Sequence, residues 1–322
     1  MVAMAKAKPA DEQRDAALLA LGRELAGLGY RFTTITPASH ARVIKRPHNR
    51  WARDLRGVFG WSCPFRERLL PARVVELMQA ADVLEPVSGG WRSRVRFSSL
   101  GKQLYVHSAY PTEAADAVFF GPDTYRFVAA IGQHLAAPGA SPVRRAVDIG
   151  SGAGPGAVTI ALAYPDAEVL AVDINDAALR YTAVNARAAG AGNVVAVHSD
   201  LLRGVEGEFD LVVANPPYMN DPAGRAYRHG GGEHGAALSL AIVDAAWARL
   251  AAGGSLLLYT GVAIIDGRDA FREAVAERLD TMPCAWDYRE LDPDVFGEEL
   301  DTDGYADAER IAAVALRVCK SH

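Results

Sequence analysis

The residues best suited to chemistry in this chain stand in a single turn, formed by Asn215, Pro216, Pro217 and Tyr218. The turn follows directly on the apolar run 209–214, which predicts a buried parallel strand, and ligands of open α/β sheets bind outside the carboxyl ends of such strands. Two prolines remove two backbone donors, so the turn offers mainly carbonyl oxygens. With the Asn215 amide and the Tyr218 ring, the turn suits a planar NH2 group held by two acceptors and stacked on an aromatic face. The alternative is a turn that merely ends a strand.

A glycine-rich loop lies upstream of this turn. The apolar run 146–149 leads into the loop 150–156, and a helical pattern follows. Glycines let a backbone approach a ligand closely, and the N-terminus of a helix favours negative charge. The next apolar run ends at Asp173, whose carboxylate is placed to accept the hydroxyls of a ribose. The glycines alone fit both NAD and other adenosine cofactors, but the loop, the acid and the Asn-Pro-Pro-Tyr turn form a specific combination.

With these motifs, residues 117–318 resemble the class I S-adenosylmethionine-dependent methyltransferases, and most of all the release-factor glutamine N5-methyltransferases (the PrmC/HemK group). The resemblance implies a Rossmann-like α/β sheet of seven strands, S-adenosylmethionine as cofactor, and a catalytic Asn-Pro-Pro-Tyr motif at Asn215–Tyr218. The cofactor-binding residues that it implies are Phe120, Asp148, Gly150, Gly152, Gly154, Asp173, Ile174, Asp200, Leu201 and Asn215. In the segment Phe119–Tyr125, which corresponds to a cofactor-covering segment, the usual Pro-Arg pair of the family is missing.

The chemistry of methyl transfer agrees with this pattern. A sulfonium methyl group is already activated, so the protein must chiefly hold donor and nucleophile in line. Hydrogen bonds from an NH2 group to the Asn215 side-chain oxygen and the Pro216 carbonyl would hold the nitrogen and stabilise its developing positive charge. No nucleophilic serine or cysteine and no metal is needed, and we predict no metal site.

Other single residues have weaker signals. The glycine-rich segment His229–Gly235 is similar to the loop that follows the motif in the family and would close over the substrate. Within it, Glu233 and His234 either orient the substrate or are simply exposed. Asp210 is expected to be structural rather than catalytic, and the segment 259–261 is expected at the rim of the site.

Length and composition indicate two domains without a membrane anchor. The 322 residues are half hydrophobic, and we predict an N-terminal domain at 1–110 and a catalytic domain at 111–322. The first ten residues lack the apolar core of a signal peptide, and no uncharged stretch approaches the ~20 apolar residues that span a bilayer. Cys63, Cys284 and Cys319 lack paired spacing, which favours free thiols in a reducing cytoplasm.

The charge is distributed unevenly between the two predicted domains. Residues 1–110 carry 18 basic and 9 acidic residues, a net charge of +9, and the remainder has a net charge of −14. The basic residues at the centre of the first domain are Arg42, Lys45, Arg46, Arg50, Arg53, Arg56, Arg66, Arg68 and Arg73. Arginines interleaved with aromatic residues suit nucleic acid. The alternatives are a solvated basic face and arginines paired with the acidic second domain.

The N-terminal domain is predicted to be a small α+β unit. We predict helices over Asp11–Leu28 and Pro71–Leu84, followed by a hairpin of Trp91–Phe97 and Gln103–His107. Helices followed by a hairpin are typical of winged-helix modules, which bind nucleic acid or serve as docking units. The segment Ser108–Asp116 is the predicted joint. The release-factor enzymes carry an all-helical domain at this position, so the chain departs from the family in this respect.

The end of the chain is predicted to complete the sheet. Helices are expected over Ser239–Leu250 and Phe271–Leu279, with a fifth strand at Gly254–Tyr259 between them. The last two strands are expected at Ala285–Leu291 and Ile311–Val318, the second of them antiparallel as the resemblance implies.

The sequence therefore predicts an enzyme that methylates a planar nitrogen, with the glutamine side chain of a release-factor-like protein as the first choice. The nearest alternative is an adenine N6-methyltransferase acting on RNA or DNA, whose base must be unpaired or flipped out. A small-molecule methyltransferase is the third possibility. Outside enzymes, the alternative is a nucleic-acid-binding module with a vestigial cofactor fold.

Overall fold

The computed structural model describes residues 9–137, 142–220 and 227–322, so most of the N-terminal segment assessed for a signal peptide lies outside the described residues. The α-helices of this part are α1 (Pro9–Gly27), α2 (Pro37–Ile44), α3 (Leu55–Phe59), α4 (Ala72–Ala80), α5 (Pro122–Leu135), α6 (Pro155–Ala163), α7 (Asp176–Ala189), α8 (Ala237–Trp247) and α9 (Ala270–Leu279). The strands are β1 (Leu84–Val87), β2 (Gly90–Ser93), β3 (Val95–Leu100), β4 (Gln103–Ser108), β5 (Arg145–Ile149), β6 (Glu168–Asp173), β7 (Val194–His198), β8 (Phe209–Ala214), β9 (Leu250–Ile265), β10 (Arg268–Asp269), β11 (Cys284–Asp292) and β12 (Arg310–Lys320).

Seven strands form the main path of the large sheet, in the order β11-β12-β9-β8-β5-β6-β7, and the short β10 pairs with β9 beside this path. Strands β5 to β9 run parallel to one another, whereas β12 is antiparallel to both β9 and β11. This arrangement confirms the predicted α/β fold and the predicted antiparallel direction of the last strand. It also places β5, the first of the parallel strands in the sequence, inside the sheet between β8 and β6.

Both faces of the parallel strands β5, β6, β8 and β9 are buried, which explains their almost continuous apolar sequences, whereas the edge strand β7 is only partly buried. In β8, Leu211 and Val213 pack into the core on the side of α5, α6 and α7. Val212 and Ala214 alternate with them and pack into the core on the side of α8 and α9. Charged side chains therefore lie only in the first two or the last two residues of these strands.

The N-terminal part has a hydrophobic core of its own, to which Leu25, Phe59, Met78 and Phe97 contribute. It contains helices α1 to α4 and two separate antiparallel hairpins, β1–β2 and β3–β4. The predicted winged-helix character of this part stays a prediction.

Two predicted elements of this part are wrong in their bounds. The helix predicted at Pro71–Leu84, which is α4, ends at Ala80. Asp82 takes a left-handed conformation with φ of 58°, and the chain then enters β1. The predicted strand Trp91–Phe97 is split at residue 94, where the Ser93 hydroxyl donates to the Val95 carbonyl at 2.7 Å. The strand's first half pairs with β1 instead of continuing the predicted hairpin.

The predicted elements at the end of the chain are present with shifted bounds. Helix α8 ends at Trp247, and β9 begins at Leu250, within the segment predicted as helix. β9 spans 16 residues instead of the predicted six, because it pairs with β12 far beyond the end of β8. Helix α9, β11 and β12 lie within one or two residues of the predicted positions.

A buried asparagine joins the N-terminal part to the large sheet. Asn185 of α7, 2% exposed, accepts a hydrogen bond from the Val106 N–H at 2.8 Å and donates to the carbonyls of Val106 and Ala153 at 3.0 and 2.8 Å. One side chain thus connects β4 with the glycine-rich loop. The domain division at residues 110 and 111 itself stays a prediction.

We expect the substitution Asn185→Ala to lower the free energy of unfolding by about 2–4 kcal/mol, because it leaves buried backbone groups without partners. Urea unfolding followed by circular dichroism measures this change. The matched control is Arg187→Ala on the exposed side of the same helix, for which we expect a change within about 0.5 kcal/mol. A loss of less than about 1 kcal/mol for Asn185→Ala would contradict the docking role.

Candidate active site

A cavity of about 360 Å³ lies at the carboxyl ends of β5, β6, β7 and β8. The chain places β6 and β7 on one side of β5 and returns to place β8 on the other side, so the cavity lies where the strand order reverses. Open α/β sheets bind ligands at such a point. The sequence-predicted site residues in its wall are Gly150, Gly152, Asp173, Ile174, Asp200, Leu201, Asn215, Pro216, Pro217 and Tyr218.

The glycine-rich loop forms the part of the wall between β5 and α6. Gly150, Gly152 and Gly154 have φ values of 69°, 56° and 81°, a region that side-chain-bearing residues rarely adopt. A Cβ atom at Gly154 would also lie 2.9 Å from the Thr182 side chain of α7. The backbone conformation of the loop before α6 therefore requires glycine at these three positions.

Asp173, at the end of β6, is held in place by backbone donors. One carboxylate oxygen accepts a hydrogen bond from the Gly152 N–H at 3.0 Å, and the other accepts from the Asn175 N–H at 2.9 Å. Burial raises the pKa of this carboxyl, and the hydrogen bond from Gly152 opposes that rise. Because each carboxylate oxygen has two lone pairs, acceptor capacity remains on the side of the cavity.

Two apolar side chains next to the acidic residues form an apolar part of the cavity wall. Ile174, directly after Asp173, is 56% exposed, which is unusual for a large aliphatic side chain. Leu201 follows Asp200 and has a left-handed conformation with φ of 50°. Both line the cavity, so an apolar planar group bound there would remove apolar surface from contact with water.

Within the described part of the chain, the side-chain amide of Asn215 is free to bind a ligand. Asn215 is half-buried at the end of β8, lines the cavity, and its side chain has no hydrogen-bond partner among the described residues. The Pro216 carbonyl oxygen likewise accepts no hydrogen bond within that part of the chain. Two acceptors with free lone pairs therefore stand next to each other at the cavity wall.

Tyr218 differs from its predicted role as an open stacking face. The residue is only 6% exposed, and its ring packs against the rings of Phe296 and Tyr259, with centroids 5.9 and 6.5 Å away. Gly261 of β9 makes room for it, since a Cβ atom there would lie 2.3 Å from the Tyr218 ring. Tyr218 therefore forms the back of the cavity, because the long strand β9 covers most of its ring.

A buried carboxyl group stands behind this tyrosine. Asp123 of α5, 4% exposed, accepts a hydrogen bond from the Tyr259 hydroxyl at 2.7 Å and lies 3.5 Å from the Arg126 guanidinium. Burial raises the pKa of Asp123, whereas Tyr259 and Arg126 oppose that rise. Asp123 also lines the cavity; it belongs to the segment Phe119–Tyr125 that the resemblance singled out, although no role was predicted for this residue itself.

Three predicted cofactor-binding residues do not reach the cavity wall. Phe120 is 1% exposed and stacks on His107 with ring centroids 5.1 Å apart, so its neighbour Phe119 lines the cavity instead. Gly154 is the N-terminal cap of α6 and is not among the residues that line the cavity. Asp148 is fully buried and accepts a hydrogen bond from the Ala157 N–H at 2.8 Å, which attaches β5 to α6.

The loop after the motif contributes to the site through residues other than those predicted. Tyr227 and Arg228 line the cavity, and the Tyr227 ring stacks on Phe119 at 6.0 Å. The Tyr227 hydroxyl donates to the Thr112 carbonyl at 2.6 Å, so this loop contacts the predicted joint between the domains. His234 instead lies 3.0 Å from the Asp307 carboxylate and is not part of the wall. Sequence reasoning missed Tyr227 because its contacts come from distant segments.

The remaining predictions concern residues around the site. Asp210 accepts hydrogen bonds from the backbone N–H groups of Arg144 and Arg145 at 2.8 and 2.9 Å, which is the structural role predicted for it. The segment 259–261 was expected at the rim but does not line the cavity, because β9 continues past it to Ile265. Among residues 9–137, 142–220 and 227–322, no cluster of His, Cys, Asp and Glu is arranged to hold a metal ion. In the same ranges, none of the helices has the length and apolar character to cross a membrane.

Comparison with known proteins finds matches for the part of the chain around the cavity. Residues 129–264 match the family described as "Methyltransferase small domain". A release factor glutamine methyltransferase of Deinococcus radiodurans is 36% identical over 168 residues, which cover 48% of this chain and 55% of that protein. A ribosomal protein uL3 glutamine methyltransferase of Neisseria gonorrhoeae is 39% identical over 79 residues, covering 24% of this chain and 26% of that protein.

Among solved structures, Methanocaldococcus jannaschii Trm5 in complex with adenosine matches with a TM-score of 0.50 and 17% identity, over 81% of this chain and 63% of that one. This likeness concerns the fold. The chain spans about half the length of the Deinococcus relative and about a quarter of the length of the Neisseria relative. Together the matches confirm the predicted resemblance to the methyltransferases and the predicted fold class, and they indicate an enzyme.

The buried Asp148 leads to a prediction about stability and pH. Burial raises the pKa of this carboxyl from 3.8 to about 7. At a pH between these two values the carboxyl is protonated in the folded protein and ionised in the unfolded chain. Stability from this group is therefore full at low pH and decreases as the pH rises from about 4 to about 7. The quantity to compare is the free energy of unfolding of the wild type minus that of Asp148→Asn. We expect this difference to decrease by about 1 kcal/mol per pH unit in this range.

Urea unfolding at steps from about pH 4.5 to about pH 7.5 measures this difference. The exposed Asp166→Asn serves as the matched control. A difference between wild type and Asp148→Asn that does not vary with pH would show that Asp148 is ionised in the folded protein throughout.

Proposed function

We propose that this chain is an S-adenosylmethionine-dependent N-methyltransferase that modifies the side-chain amide of a glutamine in a protein substrate. The observation that carries the proposal is the pair of free acceptors, the Asn215 side chain and the Pro216 carbonyl, in the wall of a cavity that also contains Asp173 and the glycine-rich loop. The first two residues suit an NH2 group, and the other two features suit an adenosine-containing donor.

The cavity fits S-adenosylmethionine in size and in chemistry. Its volume of about 360 Å³ is within the usual range of ligand pockets. Asp173 would accept the ribose hydroxyls, Ile174 and Leu201 would cover the adenine, and the backbone at Gly150 and Gly152 would approach the amino-acid end. When bound, S-adenosylmethionine supplies an activated methyl group on a positively charged sulfur.

The chain's own residues would position the nitrogen that receives this methyl group. A carboxamide nitrogen is a poor nucleophile because its lone pair is delocalised into the carbonyl group. The Asn215 oxygen and the Pro216 carbonyl would accept its two N–H hydrogens, which orients the nitrogen and stabilises the positive charge that develops on it. Tyr218, packed between Phe296 and Tyr259, keeps this turn rigid from behind, so that little reorganisation is needed.

The choice of a protein glutamine is supported by the functions that the relatives' names state. Release factor and ribosomal protein glutamine methyltransferases both act on proteins, and the similarity to the first includes about half of this chain. We further propose that residues 1–110 form a substrate-recruiting domain attached to a catalytic domain at 111–322. Cys63, Cys284 and Cys319 are free thiols, which supports the predicted cytoplasmic location.

Transfer of a labelled methyl group in cell extract tests the proposed substrate class. The protein is incubated with S-adenosylmethionine carrying a labelled methyl group, and parallel samples are treated with nuclease or protease. We expect label in a protein band that survives nuclease, and in N5-methylglutamine after digestion of that band. Label that nuclease removes would instead indicate the adenine alternative, and label confined to small molecules would exclude a protein acceptor.

The substitution Asn215→Ala should lower kcat by about 100-fold or more, because one of the two acceptors for the NH2 group is lost. Cofactor affinity should stay within about threefold, a change of less than about 1 kcal/mol. Single-turnover transfer and calorimetric titration with S-adenosylhomocysteine measure the two effects. Asn220→Ala, in the same loop but outside the cavity wall, is the matched control. Equal loss in both variants would argue against the assigned role.

The substitution Asp173→Ala should weaken cofactor binding by about 10- to 100-fold, because a carboxylate that accepts hydroxyl donors is removed. The same calorimetric titration measures the change. Asp176→Ala is the matched control, since that side chain is 87% exposed at the start of the adjacent helix. Unchanged affinity in Asp173→Ala would mean that the ribose binds elsewhere.

A further inference from the structure

The N-terminal part carries a basic surface that the proposed methyl transfer does not use. We define the 42–68 surface by eight basic side chains, all of them exposed: Arg42, Lys45, Arg46, Arg50, Arg53, Arg56, Arg66 and Arg68. The same stretch contains two acidic residues, Asp54 and Glu67, so its net charge is +6. This density of charge within 27 residues raises the local concentration of an anionic partner.

None of these eight side chains forms an ion pair with any residue that the structure describes. The nearby Asp54 carboxylate instead caps α3, accepting a hydrogen bond from the Gly57 N–H at 2.7 Å. Arginines elsewhere in the fold are paired, for example Arg145 with Glu168 at 2.6 Å and Arg180 with Asp15 at 2.6 Å. The predicted alternative of arginines neutralised by the acidic second domain is therefore wrong for the described residues.

The guanidinium groups of two of the arginines lie over aromatic rings. The Arg66 guanidinium lies 4.4 Å from the centroid of the Trp51 ring, and the Arg56 guanidinium lies 5.8 Å from that of Phe32. Trp51 is itself fixed, since a Cβ atom at Gly90 would lie 2.9 Å from its ring. A stacked guanidinium gives an unpaired base a planar partner, and its fixed position lowers the entropy lost on binding.

The 42–68 surface begins close to the cavity. Helix α2 starts at Pro37, which lines the cavity, and ends at Ile44, directly before Lys45. Eight helical residues span about 12 Å. The His40 ring of the same helix packs at a tilt of 31° against Tyr110, another residue of the cavity wall, with centroids 4.2 Å apart. One end of the 42–68 surface therefore lies within one helix length of the cavity wall.

We propose that the 42–68 surface binds single-stranded RNA, with the arginines on its phosphates and an unpaired base stacked on the Arg66 guanidinium. An acidic protein would complement the charge but would not use the stacked planes, and a duplex keeps its bases stacked among themselves. Single-stranded RNA satisfies both features. This interaction is independent of the identity of the methyl acceptor.

Fluorescence anisotropy with the full chain and a labelled RNA of about 20 unpaired nucleotides, at about 50 to about 200 mM salt, tests the proposal. The triple variant Arg46→Glu, Arg50→Glu, Arg53→Glu should bind at least about tenfold more weakly, and the slope of log affinity against log salt should decrease by about 2 in magnitude. The matched control is Arg187→Glu, Arg268→Glu, Arg272→Glu, three exposed residues with the same change in charge. This control should stay within about threefold of the wild type.

Arg66→Lys separates stacking from charge, because lysine keeps the positive charge but not the planar group. We expect this variant to bind RNA about three- to tenfold more weakly with an unchanged salt slope, as the loss of one base stack predicts. Thermal unfolding by circular dichroism checks that each variant is folded. Equal losses in the two triple variants, tighter binding to duplex DNA than to RNA, or equal competition by polyglutamate would each overturn the proposal.

Discussion

The candidate site depends on one constraint: a parallel strand covered on both faces carries charged groups only near its ends. Strands β5, β6 and β8 have buried residues on both sides of the sheet. Their carboxyl ends therefore hold polar groups that line the cavity, such as Asp173 and Asn215. Because β8 returns to the opposite side of β5, these ends surround one space instead of forming a row.

Two acids near this edge illustrate how position within a strand decides a residue's role. Asp148 lies one residue before the end of β5, where burial is complete and its only described partner is the backbone of α6. Asp173 is the last residue of β6, where two backbone donors hold the carboxylate and one side remains open to the cavity. The first acid joins secondary-structure elements, and the second is available to a ligand.

The N-terminal part complements the sheet in two physical ways. Its core packs on α7, and Asn185 ties β4 to the glycine-rich loop, so that the part is attached at the cavity's edge. Its arginines at 42–68 remain unneutralised although the rest of the chain is acidic. A positive surface beside a cavity for a cationic cofactor would keep the two binding functions apart, since the cofactor would not be attracted to the surface.

The sequence alone determined the features that depend on short stretches of chain: the apolar strands, the glycine loop, Asp173 and the Asn-Pro-Pro-Tyr turn. Their types and spacing reflect local backbone conformation, which neighbouring residues control. Only the tertiary structure decided that Phe119 rather than Phe120 faces the cavity, that β9 covers the Tyr218 ring, and that Asp123 lies behind it. These outcomes depend on how far β9 extends along β12 and on contacts between segments far apart in sequence, and no local pattern records either.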